Sequence, residues 1–93
     1  MGFTVDPEKR RINLKKHGLD LAEAERVFAE ETFTRPDNRF DYGERRFFTV
    51  GLLWVEVVVI AHTESDDVIR VIFMRKAKRH EQENYFARCG RAR

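Results

Sequence analysis

The sequence predicts a single α+β domain: two N-terminal helices, an antiparallel meander of three to four strands, and a C-terminal helix. Helix start and stop signals crowd the first thirty residues, and a long β-branched run occupies the middle. A chain of 93 residues with only 5 Gly and 2 Pro has room for one domain across 1–93 and no second. At this length only about 60 to 65% of the unfolded surface can be buried, so a partner subunit would add stability.

Asp6-Pro7-Glu8 opens the first helix. Asp6 can accept from orphan backbone N–H groups, and Pro7 suits the first helical position, where no N–H is needed. Lys15, Lys16 and His17 fill the last turn, where cations meet the negative end of the helix dipole, and Gly18 supplies the left-handed residue that ends it. A second helix starts at Asp20, with Glu23 placed as in a capping box and Leu19 able to pack on Ala24. Leu21, Ala24, Val27 and Phe28 recur at helical spacing and commit one face to the core.

Residues 32–35 read as a short strand stopped by Pro36, and 37–44 as a polar loop. Residues 45–50 read as a strand, with Gly51 beginning a turn. The run over 54–63 is apolar on both faces and predicts a central, doubly covered strand. A turn over 64–67 leads to a returning strand over 68–74, which completes the meander. The final helix is expected over 76–88, with a thin apolar stripe of Ala77, Tyr85 and Phe86, and 89–93 as a flexible tail.

Several function classes are disfavoured at once. No run of about 18 apolar residues could span a bilayer, and the first residues lack a signal-peptide pattern, so a cytoplasmic protein without membrane contact is expected. The lone Cys89 allows no internal disulfide and no Cys-rich zinc site. His17, His62 and His80 are isolated, and neither a glycine-rich phosphate loop nor a nucleophile elbow is present, so no metal and no cofactor are expected.

Charge is sorted along the chain although the net is only +2. Residues 1–19 carry +3 and residues 75–93 carry +5, whereas 20–44 carry −5 and 52–67 carry −4. If the fold brings both ends to one side of the sheet, a basic face suited to a polyanion results. Otherwise the charges are solvated faces. Lys9, Asn13, Lys16 and His17 lie on one arc of the first helix and suit a phosphate backbone. Arg70, amid Val68-Ile69 and Val71-Ile72-Phe73-Met74, must snorkel, pair or face a polar site, opposite a dry face of Ile69, Val71 and Phe73. Pairing with Glu56 or Glu64 is its structural alternative. Arg75 and Lys76 add cations where strand and final helix meet. Glu81 and Tyr85 stand four apart on that helix, Tyr85 either as core or as a group that meets RNA.

Taken in order, these residues resemble the BrnT family, the toxin half of a bacterial type II toxin–antitoxin pair. The resemblance is carried by Asp6-Pro7-Glu8-Lys9, Asn13, Lys16-His17-Gly18-Leu19, Ala22-Glu23-Ala24, Phe28, Arg46-Phe47, Gly51, His62-Thr63-Glu64, Arg70-Val71-Ile72, Arg75-Lys76-Ala77, Glu81 and Tyr85. It covers the chain from about Phe3 to Tyr85. The resemblance implies a RelE-like ribonuclease fold, RNA cleavage that arrests translation, and neutralisation by a BrnA-type antitoxin. A homodimer within that complex, and DNA contact only through the antitoxin, are further expectations.

Metal-free RNA cleavage needs a base for the 2′-hydroxyl proton, fixed cations for the phosphoryl oxygens, and an acid for the leaving 5′-oxygen. His17 is the expected proton-transfer group and Arg70 and Arg75 the phosphate-stabilising cations. Lys9, Asn13, Lys16 and Lys76 are expected to position the RNA backbone, with Tyr85 or Glu81 as alternative acid or base. A non-catalytic module that binds the antitoxin or nucleic acid in autoregulation is the second reading. A purely structural interaction protein ranks third, because no exposed apolar patch is obvious.

Overall fold

A computed structural model describes residues 2–39 and 43–89. Strands β1 (Gly2–Val5), β2 (Phe33–Pro36), β3 (Arg46–Leu53), β4 (Glu56–Ser65) and β5 (Val68–Lys76) form one sheet in the order β1-β5-β4-β3-β2. Helices α1 (Pro7–His17), α2 (Ala24–Phe28) and α3 (Arg79–Cys89) complete the α+β architecture. The expected tail falls outside the described residues except for Cys89, and so do positions 40–42 of the polar loop.

Strands β2 to β5 are the antiparallel meander that the sequence predicts. The expected three to four strands become five, because β1 pairs in parallel with β5, Phe3 beside Ile69 and Val5 beside Val71. Four residues are too few to give a periodic signal. The strand forms because Phe3 and Val5 find the apolar cluster around Leu21, Ile69 and Val71.

Local signals at α1 act as the sequence suggests. Asp6 accepts from the Glu8 N–H at 2.8 Å, and Gly18 takes a left-handed φ of 71° while its N–H donates to the Leu14 carbonyl. The second helix is shorter than expected, a 3₁₀ turn at Leu21–Glu23 followed by the five residues of α2. Asp20 accepts from Ala22, but Glu23 pairs with Arg26 at 2.9 Å, so no reciprocal capping box closes.

Two other expectations are corrected by packing. Gly51 lies inside β3 and not in a turn, since a Cβ there would stand 2.7 Å from Val27 Cγ1 and 2.8 Å from Thr32 Cγ2. Its missing side chain lets α2 lie close on the sheet. The final helix begins at Arg79, because the ladder continues through Lys76 and the Ala77 N–H still donates to the Val57 carbonyl at 2.9 Å. Arg75 and Lys76 therefore belong to β5.

The central strand β4 is buried on both faces, as its composition predicts. One face, with Val58, Ile60, Ile69, Val71 and Met74, packs under Leu21, Ala24 and Val27. The other, with Phe48, Val50, Val57, Val59 and Ala61, packs under α3 through Tyr85. On β5 the expected dry row of Ile69, Val71 and Phe73 is broken. The pairing of β4 with β5 slips at Ala61/His62, leaving Ile72 as an extra residue, so Phe73 crosses to the face that carries Arg70 and packs with Phe48. A one-residue bulge thus puts Arg70, Phe73 and Arg75 on the same side of the sheet.

Candidate active site

The site begins with a problem of backbone satisfaction. Strand β1 covers the outer edge of β5 only as far as Val71. Beyond it, the Asn13 side chain of α1 replaces a strand: its Nδ2 donates to the Met74 carbonyl at 2.9 Å and its Oδ1 accepts from the Met74 N–H at 3.1 Å. Nδ2 donates as well to the Leu19 carbonyl at 2.9 Å. Asn13 is 4% exposed, so the structure uses it to hold α1 against β5, with both amide donors engaged.

That contact creates a cleft of about 420 Å³ between α1 and the end of β5. Lys9, Lys16 and His17 line it from the helix, and Arg75, with Ile72 and Phe73, from the strand. Four charged or titratable residues singled out in the sequence, three near the N-terminus and one more than fifty residues later, share one hollow. Both basic ends of the chain contribute to it.

Arg75 is oriented by Glu81, in two parallel hydrogen bonds of 2.9 Å. Its Nη1 donates in addition to the Lys76 carbonyl at 3.2 Å, while Nε–H and one N–H of Nη2 meet no acceptor among the described residues. Glu81 accepts from the Lys78 N–H at 2.7 Å too, capping α3 from its third position. Hydrogen bonding to Arg75, against a smaller effect of burial, lowers the Glu81 carboxyl to about 2. Such a carboxylate is a poor proton carrier near neutral pH. The same pair holds the Arg75 guanidinium charged.

The remaining expected residues lie elsewhere. Arg70 lines a second hollow with Thr4, Arg45 and Thr63, where its Nη2 meets both carboxylate oxygens of Glu44 at 2.7 Å. Its partner is thus neither Glu56 nor Glu64. Lys76 is exposed, 4.0 Å from Glu56. Tyr85 is fully buried and its hydroxyl donates to the Glu31 carbonyl at 2.8 Å, which ties α3 to the start of β2. Among the described residues no three His, Cys, Asp or Glu are grouped to hold a metal ion.

Sequence reasoning passed over Arg35 and Arg39. Their guanidinium carbons lie 5.2 and 5.1 Å from the centre of the Phe48 ring, and the charge of Arg39 is felt at Arg75. The only signal in the sequence was the two-residue alternation that puts Arg35 on the same face as Phe33.

No helix among the described residues is long and apolar enough to cross a membrane. Comparison with curated proteins finds no match. Residues 6–81, which include α1, the cleft and the Arg75–Glu81 pair, match the family described as ribonuclease toxin, BrnT, of type II toxin–antitoxin systems. The chain belongs to that family of toxins.

Proposed function

We propose that the cleft between α1 and β5 is where the protein cleaves RNA, without a metal ion. The observation that carries this reading is the meeting of Lys9, Lys16, His17 and Arg75 around one hollow. An imidazole is the side chain best suited to take a proton near neutral pH. His17 removes the 2′-hydroxyl proton, the 2′-oxygen attacks the adjacent phosphorus, and the bond to the 5′-oxygen breaks. The departing oxygen is protonated from solvent, because Tyr85 and Glu81 are engaged in structural bonds.

Arg75, held in place by Glu81, and Lys16 stabilise the charge that gathers on the phosphoryl oxygens. Lys9 positions the chain, and Asn13 acts by fixing α1. Arg70 and Lys76, outside the cleft, meet flanking phosphates. The cellular outcome is arrest of translation in the cytoplasm, relieved by a BrnA-type antitoxin in a complex that can contain a toxin dimer and that meets DNA through the antitoxin.

The test is cleavage of end-labelled RNA by the purified chain in excess EDTA. Activity should survive the chelator and fall by about a hundredfold or more in His17→Ala, with an unchanged melting curve, and in Arg75→Ala, where Tm falls as well because the pair with Glu81 is lost. In Arg70→Ala, KM should rise while kcat holds. A folded protein that leaves RNA intact would instead be a binding module.

A further inference from the structure

We infer that Arg35, with Arg39 beside it, forms a second phosphate-binding position for the RNA strand, reached from the cleft past the Phe73 ring. The inference rests on the cleft being where RNA is cleaved. Register places Arg35 opposite Phe48 on the outermost strand, so both side chains rise from the same face as Phe73 and Arg75. The Phe48 and Phe73 ring centres are 6.3 Å apart, and Phe73 itself lines the cleft. Phe48 itself is buried, 6% exposed, and the Arg35 and Arg39 guanidinium groups lie over its ring, so the two cations stand between the Phe73 side of the cleft and the sheet edge.

Charge compensation along that path is uneven. Arg75 is matched by Glu81 and Arg39 by Asp37, whose Oδ1 and Oδ2 accept from it at 2.8 and 3.1 Å. Arg35 has no ion pair among the described residues, and its charge rests on the Phe48 ring alone. Gathering like charges is unfavourable for folding, and an anion laid across them would relieve the repulsion. Cations spaced along one face beside an aromatic ring are an arrangement that follows a single-stranded backbone. Because β2 ends the sheet, a strand lying over Arg35 can continue past the molecule.

The experiment measures binding of the full chain to labelled 2′-O-methyl RNA, which cannot be cleaved, as a dinucleotide and as a hexanucleotide over a range of salt. Arg35→Gln should weaken hexanucleotide binding several-fold and reduce the salt slope by about 0.7, the loss of one phosphate contact on a single strand. Dinucleotide affinity should not change. Arg35→Lys should keep the wild-type slope, which separates the charge from the packing on Phe48. An unchanged hexanucleotide slope in Arg35→Gln, or equal losses in Gln and Lys variants, overturns this inference alone. Failure of the wild-type chain to bind either RNA overturns the reading of the cleft and this inference with it.

Discussion

Single side chains in this protein carry tasks that their types do not announce. Asn13 is a polar residue on a polar helix, yet it substitutes for a missing strand on the edge of β5. Asn13→Ala would leave the Met74 N–H and carbonyl buried without partners, and should cost about 3 kcal/mol, read as a fall in Tm of roughly 10 °C or more. Asn13→Asp should do no better, because a carboxylate cannot donate to the Leu19 and Met74 carbonyls. Glu81 is a positioning residue for Arg75. Glu81→Gln should lower both Tm and kcat, and combined with Arg75→Ala it should reduce activity no further than Arg75→Ala alone. An additive loss would give Glu81 its own part in the reaction.

At the scale of elements, helices are set on the sheet by close approaches. Gly51 admits α2, since Val27 and Thr32 occupy the space that its Cβ would take. Both neighbours are β-branched and one is fully buried, so neither can swing aside. Gly51→Ala should cost about 1–3 kcal/mol in urea unfolding, with a smaller penalty in a Val27→Ala background. On the opposite face, α3 is tied by Tyr85 to the Glu31 carbonyl and stacks on Phe33 with ring centres 6.3 Å apart. The thin stripe read from the sequence is enough because the fully buried Tyr85 is joined in the cluster by Ala77, Phe86 and Cys89. The β4–β5 turn uses Asp66 and Asp67 at φ of 53° and 62°, the left-handed pair that a two-residue hairpin turn requires.

Across the whole molecule, the buried His62 and the partly buried Glu81 shape the response to acid. His62 is fully buried, bonded through Nε2 to the Thr49 hydroxyl at 2.7 Å, and burial pushes its pKa below the ordinary 6.5. The unfolded chain therefore takes up this proton first, and stability should fall as pH drops below about 6.5. Glu81 behaves as a carboxylate with its folded pKa lowered from 4.5 to about 2. Its contribution is complete above about 4.5 and is lost between there and about 2. Urea midpoints measured from about pH 7.5 downwards should thus decline in two stages, and His62→Gln should flatten the first.

What the sequence determined by itself was local. Caps at Asp6 and Gly18, the meander, the doubly buried β4 and the sorting of charge were all legible, because each depends on neighbours a few residues apart. The family resemblance was legible too, through blocks whose order survives in 6–81. Tertiary structure decided what depends on partners far along the chain. β1 exists through apolar contacts more than sixty residues away, Gly51 is explained by Val27, and the bulge at Ile72 turns Phe73 toward Arg70 and Arg75. The same holds at the site. Sequence spacing put Lys9, Lys16 and His17 on one arc, but only the bond between Asn13 and Met74 brings that arc to Arg75 and leaves Arg70, Lys76 and Tyr85 elsewhere. A helix face is fixed by its own 3.6-residue period, whereas the edge it docks on is chosen by which backbone groups lack a partner.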